Sequence, residues 1–131
     1  GWDRYNLAYW HAHYDEFARW FFEQVFSEPH STKGVEDAAS WAAESGPHVL
    51  EAEAMQPAPT RPVGELLAEL RCPTLVVHGT DDRIQSHDIG AEAARLSNGT
   101  LMSFAGSGHM PNLRDPVRFN RLVREFVERV A

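Results

Sequence analysis

Two short apolar runs constrain the fold of this chain more than any other feature of its sequence. TLVVH (residues 74–78) and TLMSF (100–104) have the length of strands, and the first is rich in β-branched residues. Between them, Ser86 can cap a helix that ends at Asn98-Gly99. Two strands joined by a helix predict a piece of a parallel α/β sheet, and the continuous apolar run predicts that the first strand is buried on both faces.

Helices are predicted on both sides of this strand pair. The stretch RPVGELLAEL (61–70) reads as a helix before the first strand, and Asp115-Pro116 starts a last helix after the second. The apolar residues of that last helix keep a spacing of three and four: Phe119, Leu122, Val123, Phe126, Val127 and Val130. This spacing is typical of a helix with one apolar face.

Proline residues divide the chain into two segments. QPAPTRP (56–62) holds three prolines, which remove hydrogen-bond donors and disfavour helical backbone, so it predicts a linker between residues 1–61 and 62–131. The first segment is predicted to be helical. Ser31 or Thr32 can cap a helix that stops at Gly46-Pro47, and HVLEAEAM forms a further short helix.

Aromatic residues open the first segment. They recur every three or four residues and predict one face of a helix: Trp2, Tyr5, Tyr9, Trp10, Tyr14, Phe17, Trp20, Phe21 and then Val25. All four tryptophans of the chain precede residue 42. This is more aromatic surface than a few short helices can bury among themselves, so we expect these helices to need a large apolar partner.

Charge and composition exclude several classes of function. The net charge is −7, and residues 1–61 hold four basic and ten acidic residues against eight and nine in residues 62–131. An acidic chain lacks the attraction to phosphate that nucleic-acid binding needs, and no run reaches the roughly 20 apolar residues of a membrane helix. Cys72, the single cysteine, cannot form an internal disulfide. With no signal-peptide pattern at its start, we expect the chain to be cytoplasmic.

Each strand is followed by a loop that carries an ionisable residue. Asp82 lies in HGTDDRI (78–84), and His109 lies in AGSGHMPN (105–112). In parallel α/β sheets, sites gather beyond the carboxyl ends of the strands. A carboxylate bound to one imidazole nitrogen fixes the tautomer and leaves the other nitrogen free to take a proton from a nucleophile. Asp82 and His109 are therefore a candidate catalytic pair.

The same two loops resemble the α/β-hydrolase fold family. CPTLVVHGTDD (72–82) is similar to strand seven and the acid turn of that family, and GSGHMPNLRDPVRF (106–119) is similar to its histidine loop and last helix. The resemblance covers residues 62–131 and implies that Asp82 is the acid and His109 the base. Asp81 is the weaker candidate for the acid. Two neighbours of the pair, Ile84 and Met110, are candidate substrate-binding residues.

Residues 1–61 resemble, by position and composition, the helical cap that many such hydrolases insert between strands six and seven. The family's nucleophile lies on a G-x-S-x-G elbow before the cap, and no serine of this chain has glycine both two residues before it and two residues after it. The resemblance therefore implies the C-terminal portion of an α/β-hydrolase, with two parallel strands and flanking helices behind a helical cap segment. We expect its partner to be the missing N-terminal half of the hydrolase or a second copy of the chain.

The predicted function is the acid and histidine half of a Ser-His-Asp esterase acting on a small apolar ester, not catalytic alone. Two alternatives stay open: a non-catalytic interaction module, and a fragment of a dehalogenase or epoxide hydrolase with an aspartate nucleophile.

No cofactor is expected. No metal site is expected at HAHYDE (11–16) either, because His11 and His13 would point about 200° apart on a helix. Four other histidines have no partner that the sequence identifies: His30, His48, His78 and His87.

Overall fold

A computed structural model describes residues 1–131, and its first half is entirely helical. A 3₁₀ turn precedes four α-helices, with these bounds: Trp2–Arg4, then α1 (Leu7–Ala12), α2 (Tyr14–Val25), α3 (Thr32–Ala43) and α4 (Pro47–Ala54). The proline-rich stretch 56–62 has neither helix nor strand. No helix in the structure combines the length and the apolar character needed to cross a bilayer.

The aromatic stretch at the start is not one continuous helix, as its spacing predicted. The chain leaves helical geometry at His13, where φ is −143° and ψ is 44°, and α2 starts anew at Tyr14. A straight helix would hold Tyr5 and Phe17 about 18 Å apart along its axis. Across the break their ring centroids lie 5.8 Å apart, so folding the segment back lets its aromatic rings pack on one another.

The cap predicted for α3 is also different. Ser31 occupies the N-cap position, but its hydroxyl donates to the carbonyl of Glu28 instead of accepting a hydrogen bond from the helix.

The aromatic side chains of the first half are partly buried by the packing of their rings. Trp10 is buried within the helices, whereas Trp2 and Trp41 remain about half exposed.

The second half alternates helices and strands in the predicted order. Its elements are α5 (Val63–Ala68), β1 (Leu75–Gly79), α6 (His87–Leu96), β2 (Thr100–Phe104), α7 (Pro111–Arg114) and α8 (Pro116–Val130). β1 and β2 pair in parallel, with Leu75 opposite Thr100 and Gly79 opposite Phe104. The predicted α/β fold with two parallel strands and flanking helices is confirmed.

One prediction about burial in this half is wrong. Residues 75–78 of β1 are half-buried, not buried on both faces, and β1 has a strand partner on one edge and none on the other. Helix α8 contains no buried residue, and its apolar face leaves Val127 53% exposed. The sheet and α8 therefore present apolar surface that the described residues do not cover.

Candidate active site

The two loops that carry Asp82 and His109 leave the sheet at the same edge. β1 ends at Gly79 and β2 at Phe104, and these residues are paired in the parallel register. The backbone N–H of Thr80 continues the ladder by donating to the carbonyl of Phe104 at 3.0 Å. Both loops therefore start at the same level along the strands, so the side chains of Asp82 and His109 can meet at the edge of the sheet.

Asp82 is held by its own loop. Its Oδ1 accepts hydrogen bonds from the backbone N–H of Ile84 at 2.8 Å and of Gln85 at 3.0 Å, the local pattern of an Asx turn. The side chain is 2% exposed. Burial raises the pKa of this carboxyl, but the hydrogen bonds from Gln85, His109 and Ile84 outweigh it and hold the pKa of Asp82 below its usual value. The carboxylate is therefore ionised at neutral pH.

His109 meets the other oxygen of this carboxylate. Its Nδ1 lies 2.8 Å from Asp82 Oδ2, which requires the proton on Nδ1 and leaves Nε2 with its lone pair when the ring is neutral. The His109 side chain is 38% exposed. Asp81, the weaker candidate for the acid, is exposed and accepts from the hydroxyl of Thr80 instead.

Glycines allow the backbones of the two loops to approach closely. A Cβ on Gly79 would lie 2.1 Å from the carbonyl oxygen of Gly108 and 2.2 Å from that of Ser107. A Cβ on Gly108 would lie 2.6 Å from the carbonyl oxygen of Val25. Any side chain at either position would force the acid loop, the histidine loop and the end of α2 apart.

Glu28 holds the histidine loop from the helical segment, a contact that the sequence did not reveal. Its Oε1 accepts from the backbone N–H of Gly108 at 2.7 Å and from the hydroxyl of Ser107 at 2.9 Å. Its Oε2 is buried without a hydrogen-bond partner. The partners are about 80 residues apart in the chain, so no local pattern could have indicated the contact.

The neighbours of Glu28 fix both loops as well. The carbonyl of Val25 accepts from the backbone N–H of His109 at 2.9 Å, and the hydroxyl of Ser27 donates to the carbonyl of Asp81 at 2.8 Å. Residues 25–28 therefore join the helical segment to the acid loop and to the histidine loop at once.

His78 is a second histidine beside Asp82, and no partner was predicted for it from the sequence. It lies at the end of β1, with its side chain 12% exposed and its Nε2 3.1 Å from Asp82 Oδ2. The sequence signal was the His-Gly pair directly before the acid turn. His30 and His48 do not contact the pair in the structure, and His87 bonds to the hydroxyl of Ser103.

Ile84 and Met110 lie where the two loops meet the helical core. Both are partly buried and pack against a cluster formed by Val25, Phe26, Val35 and Ala38, as do Phe21 and Phe22. Their role in substrate binding stays a prediction. The largest cavity, about 390 Å³, lies behind the histidine loop beside Glu28 and Arg114 and is not lined by Asp82 or His109.

The described residues hold no group of three or more His, Cys, Asp or Glu side chains arranged to bind a metal ion. In HAHYDE, His11 bonds to Glu51 on α4, with Nε2 and Oε2 3.0 Å apart. His13 lies at the break between α1 and α2, so the premise that both histidines share one helix was wrong.

Comparison with known proteins places this geometry in a family. The model of the alpha/beta hydrolase family matches residues 2–122, which span the helical segment, both strands and both loops. The chain belongs to the alpha/beta hydrolase family. The resemblance of the acid and histidine loops to that family is thereby confirmed.

Individual relatives of this alpha/beta hydrolase are hydrolases of more than one kind. A 2-hydroxy-6-oxononadienedioate/2-hydroxy-6-oxononatrienedioate hydrolase of Burkholderia vietnamiensis is 37% identical over 67 residues, 50% of this chain and 23% of the relative. An AB hydrolase superfamily protein of Bacillus subtilis is 36% identical over 61 residues, 46% of this chain and 23% of the relative. These matches span about a quarter of the relatives' length.

A solved structure matches more of the chain. The crystal structure of an esterase from a Rhodococcus species superimposes with a TM-score of 0.76 and 25% sequence identity. The superposition covers 89% of this chain and 42% of the esterase. The arrangement of helices and strands in this alpha/beta hydrolase is thus similar to less than half of a complete esterase.

Proposed function

We propose that this chain supplies the acid and the histidine of a Ser-His-Asp hydrolase that cleaves a small, apolar ester. The observation that carries the proposal is the 2.8 Å hydrogen bond between His109 Nδ1 and Asp82 Oδ2, with the histidine half exposed and the carboxylate buried. In this proposal Asp82 is the acid and His109 the base.

The chemistry follows from the tautomer. With the proton on Nδ1, Nε2 of His109 accepts the proton of an attacking hydroxyl, and the ionised Asp82 stabilises the imidazolium that forms. The imidazolium then returns the proton to the leaving alkoxide of the ester. Hydrolysis of the acyl intermediate repeats the two transfers with water in place of the first hydroxyl.

The nucleophile must come from outside the described residues, because none of the 131 residues forms a G-x-S-x-G elbow. Two features support a further polypeptide segment packing here. β1 has an edge without a strand partner, and α8 has an apolar face without a buried residue. We propose that the occupant of both is the N-terminal half of the hydrolase fold, with strands one to six, in preference to a second copy of the chain.

An apolar, uncharged substrate is favoured by the surroundings of the pair. Ile84 and Met110 lie in the loops of the pair, and both pack on the apolar cluster at the end of α2 with Phe21 and Phe22. Residues 1–61 carry a net charge of −6. A dianion would be repelled by this segment, and so we favour an ester over a dienedioate.

Hydrolysis of a dienedioate is the second candidate. It is supported by the name of the Burkholderia relative, whose substrate is a dienedioate. A fragment of an aspartate-nucleophile enzyme would use the same Asp82 and His109, and the residue at the elbow separates that alternative from the serine enzyme.

The test compares the full product of the gene with its His109→Ala variant on p-nitrophenyl acetate and butyrate. We expect the variant to lose at least about 100-fold in kcat/KM, the size of a general-base contribution. His48→Ala is the matched control, since His48 is an exposed histidine on α4 away from the pair. Intact mass and solution mass establish which polypeptides are in the active sample.

Equal turnover in the wild type and in His109→Ala would overturn the proposal. Turnover of a dienedioate and none of either ester would favour the second candidate. A 131-residue species that hydrolyses neither, alone or with its neighbouring chain, would indicate a non-catalytic interaction module.

A further inference from the structure

Two histidines lie beside Asp82, not one. Its Oδ2 is bonded to His109 Nδ1 at 2.8 Å and lies 3.1 Å from His78 Nε2. Its Oδ1 accepts from the backbone N–H groups of Ile84 and Gln85. The carboxylate therefore has three hydrogen-bond partners, and His78 is a close polar neighbour of its Oδ2.

The surroundings of His78 decide which of its nitrogens carries a proton. Nε2 lies 3.0 Å from the carbonyl oxygen of Gln85 as well as 3.1 Å from Asp82 Oδ2. The hydrogen bond is to the carbonyl of Gln85, which is an acceptor, so Nε2 must bear hydrogen. The same N–H lies beside Asp82 Oδ2 in the neutral and in the charged form of His78, and it places positive partial charge next to the carboxylate.

The ring of His78 is fixed in this orientation by α6. A Cβ on Gly90 would lie 2.4 Å from Nδ1 and 2.9 Å from Cγ of His78, so the glycine makes room for the ring. Glycine is unfavourable inside a helix, which makes this position notable. His87 packs edge-on against His78, with ring centroids 5.6 Å apart, and its own Nε2 is bonded to Ser103.

We propose that His78 is a positioning residue that holds Oδ2 of Asp82 in place for His109. The inference rests on the proposed function of the Asp82–His109 pair. His109 is 38% exposed and changes its protonation state during turnover, whereas Asp82 is 2% exposed. Without His78, the carbonyl of Gln85 would lose its donor, and the buried Oδ2 would lose the positive partial charge that lies beside it whenever the His109 ring moves.

The first test measures the wild type without substrate. Long-range ¹H–¹⁵N NMR of the histidine rings, on the full gene product, distinguishes a protonated Nε2 from a protonated Nδ1. We expect neutral His78 to be the Nε2–H tautomer and neutral His109 the Nδ1–H tautomer. A His78 ring with hydrogen on Nδ1 alone would overturn the proposal, because Nε2 would then carry no hydrogen for Gln85 or beside Asp82.

The second test compares two substitutions of His78. His78→Gln places an amide N–H near the former Nε2, whereas His78→Leu removes the donor at similar volume. We expect the low-field proton signal of His109 Nδ1–H to persist in the Gln variant and to move upfield or broaden away in the Leu variant. An unchanged signal in a folded Leu variant would overturn the proposal.

Kinetics add a readout that a purely structural role would not separate. We expect His78→Leu to lower kcat on p-nitrophenyl butyrate about tenfold with KM unchanged, and His78→Gln to restore most of it. A parallel fall of both variants would contradict the role of the donor. If neither variant folds, the tautomer of the wild type still decides the question. The NMR readouts need no turnover, so failure of the proposed hydrolase activity leaves them decisive.

Discussion

The helical segment and the α/β segment of this chain differ in how much apolar surface they bury. Seven of the nine buried hydrophobic residues lie in the helices α1 to α3 and directly after α2, and two, Ala94 and Phe104, lie beyond the linker. The second segment instead holds eight of the thirteen large hydrophobic residues that are exposed. The segment with the candidate catalytic pair is therefore the one with the smaller core.

The two segments are therefore ordered by different kinds of interaction. The helices pack ring against ring, as Phe17 does with Trp10 and Phe21, and form a core of their own. The α/β segment is ordered by hydrogen bonds: the parallel ladder, the Asx turn at Asp82 and the contacts from residues 25–28. Packing stabilises the first segment, and polar contacts position the site in the second.

The greatest loss of stability is expected from a substitution in the helical core. Phe17 is 3% exposed, and we expect Phe17→Ala to lower the free energy of unfolding by about 3–5 kcal/mol. Val49→Ala on α4 is the matched control, with an expected change within about 0.5 kcal/mol, because Val49 is 45% exposed. Urea unfolding followed by circular dichroism measures both. Equal losses would mean that α4 is buried against a partner in solution.

Much of the α/β segment could be predicted because its signals are local. Ser86 and Asp115 cap α6 and α8 as predicted, accepting from the backbone N–H groups of Asp88 and Arg118. Asn98 ends the turn after α6 in the left-handed region, with φ at 51°. The strands start within one residue of the predicted runs, since β-branched residues and turn residues identify them without tertiary information.

The features that the sequence did not reveal are tertiary. The break at His13 depends on rings that meet only after α2 folds back on α1. Glu28 and Gly108 are joined across 80 residues. His78 is close to Asp82 in sequence, but the orientation of its ring depends on the room that Gly90 of the next helix leaves for it. The Asp82–His109 pair was predicted from the two loops that follow the strands, because the carboxyl ends of parallel strands meet at one edge of a sheet, and the family resemblance then implied the role of each residue.

An intermediate effect is expected at the contact that joins the two segments. Glu28→Ala removes the acceptor for the N–H of Gly108 and the hydroxyl of Ser107, and we expect it to cost about 1–3 kcal/mol in the free energy of unfolding. Glu28→Gln is the matched control, because its amide oxygen can keep both hydrogen bonds. Hydrogen exchange at Gly108 shows the local effect. If the Ala variant exchanges no faster than the Gln variant, Glu28 does not hold the histidine loop.

The smallest effect is the pH dependence that Asp82 gives to the α/β segment. Because the folded-state pKa of Asp82 is below its usual value, the ionised carboxylate stabilises the fold above the unfolded pKa near about 3.9, and this stability is lost as pH falls through the folded pKa. Asp82→Asn removes the ionisation and presents an amide to the imidazole of His109. We expect it to cost about 1 kcal/mol at pH 7.

Urea unfolding at pH 7, 5, 4 and 3 measures this term for the wild type and for Asp82→Asn. The gap between the two proteins should be constant from pH 7 to about 5 and should narrow below about pH 4, because protonation of Asp82 removes the advantage of the wild type. Asp88→Asn is the matched control: this exposed aspartate in the first turn of α6 should change little across the series. A gap that stays constant down to pH 3 would mean that the ionisation of Asp82 adds nothing to the free energy of unfolding. The charge of Asp82 would then serve the geometry of the site, and the stability of the fold would come from packing and from uncharged hydrogen bonds.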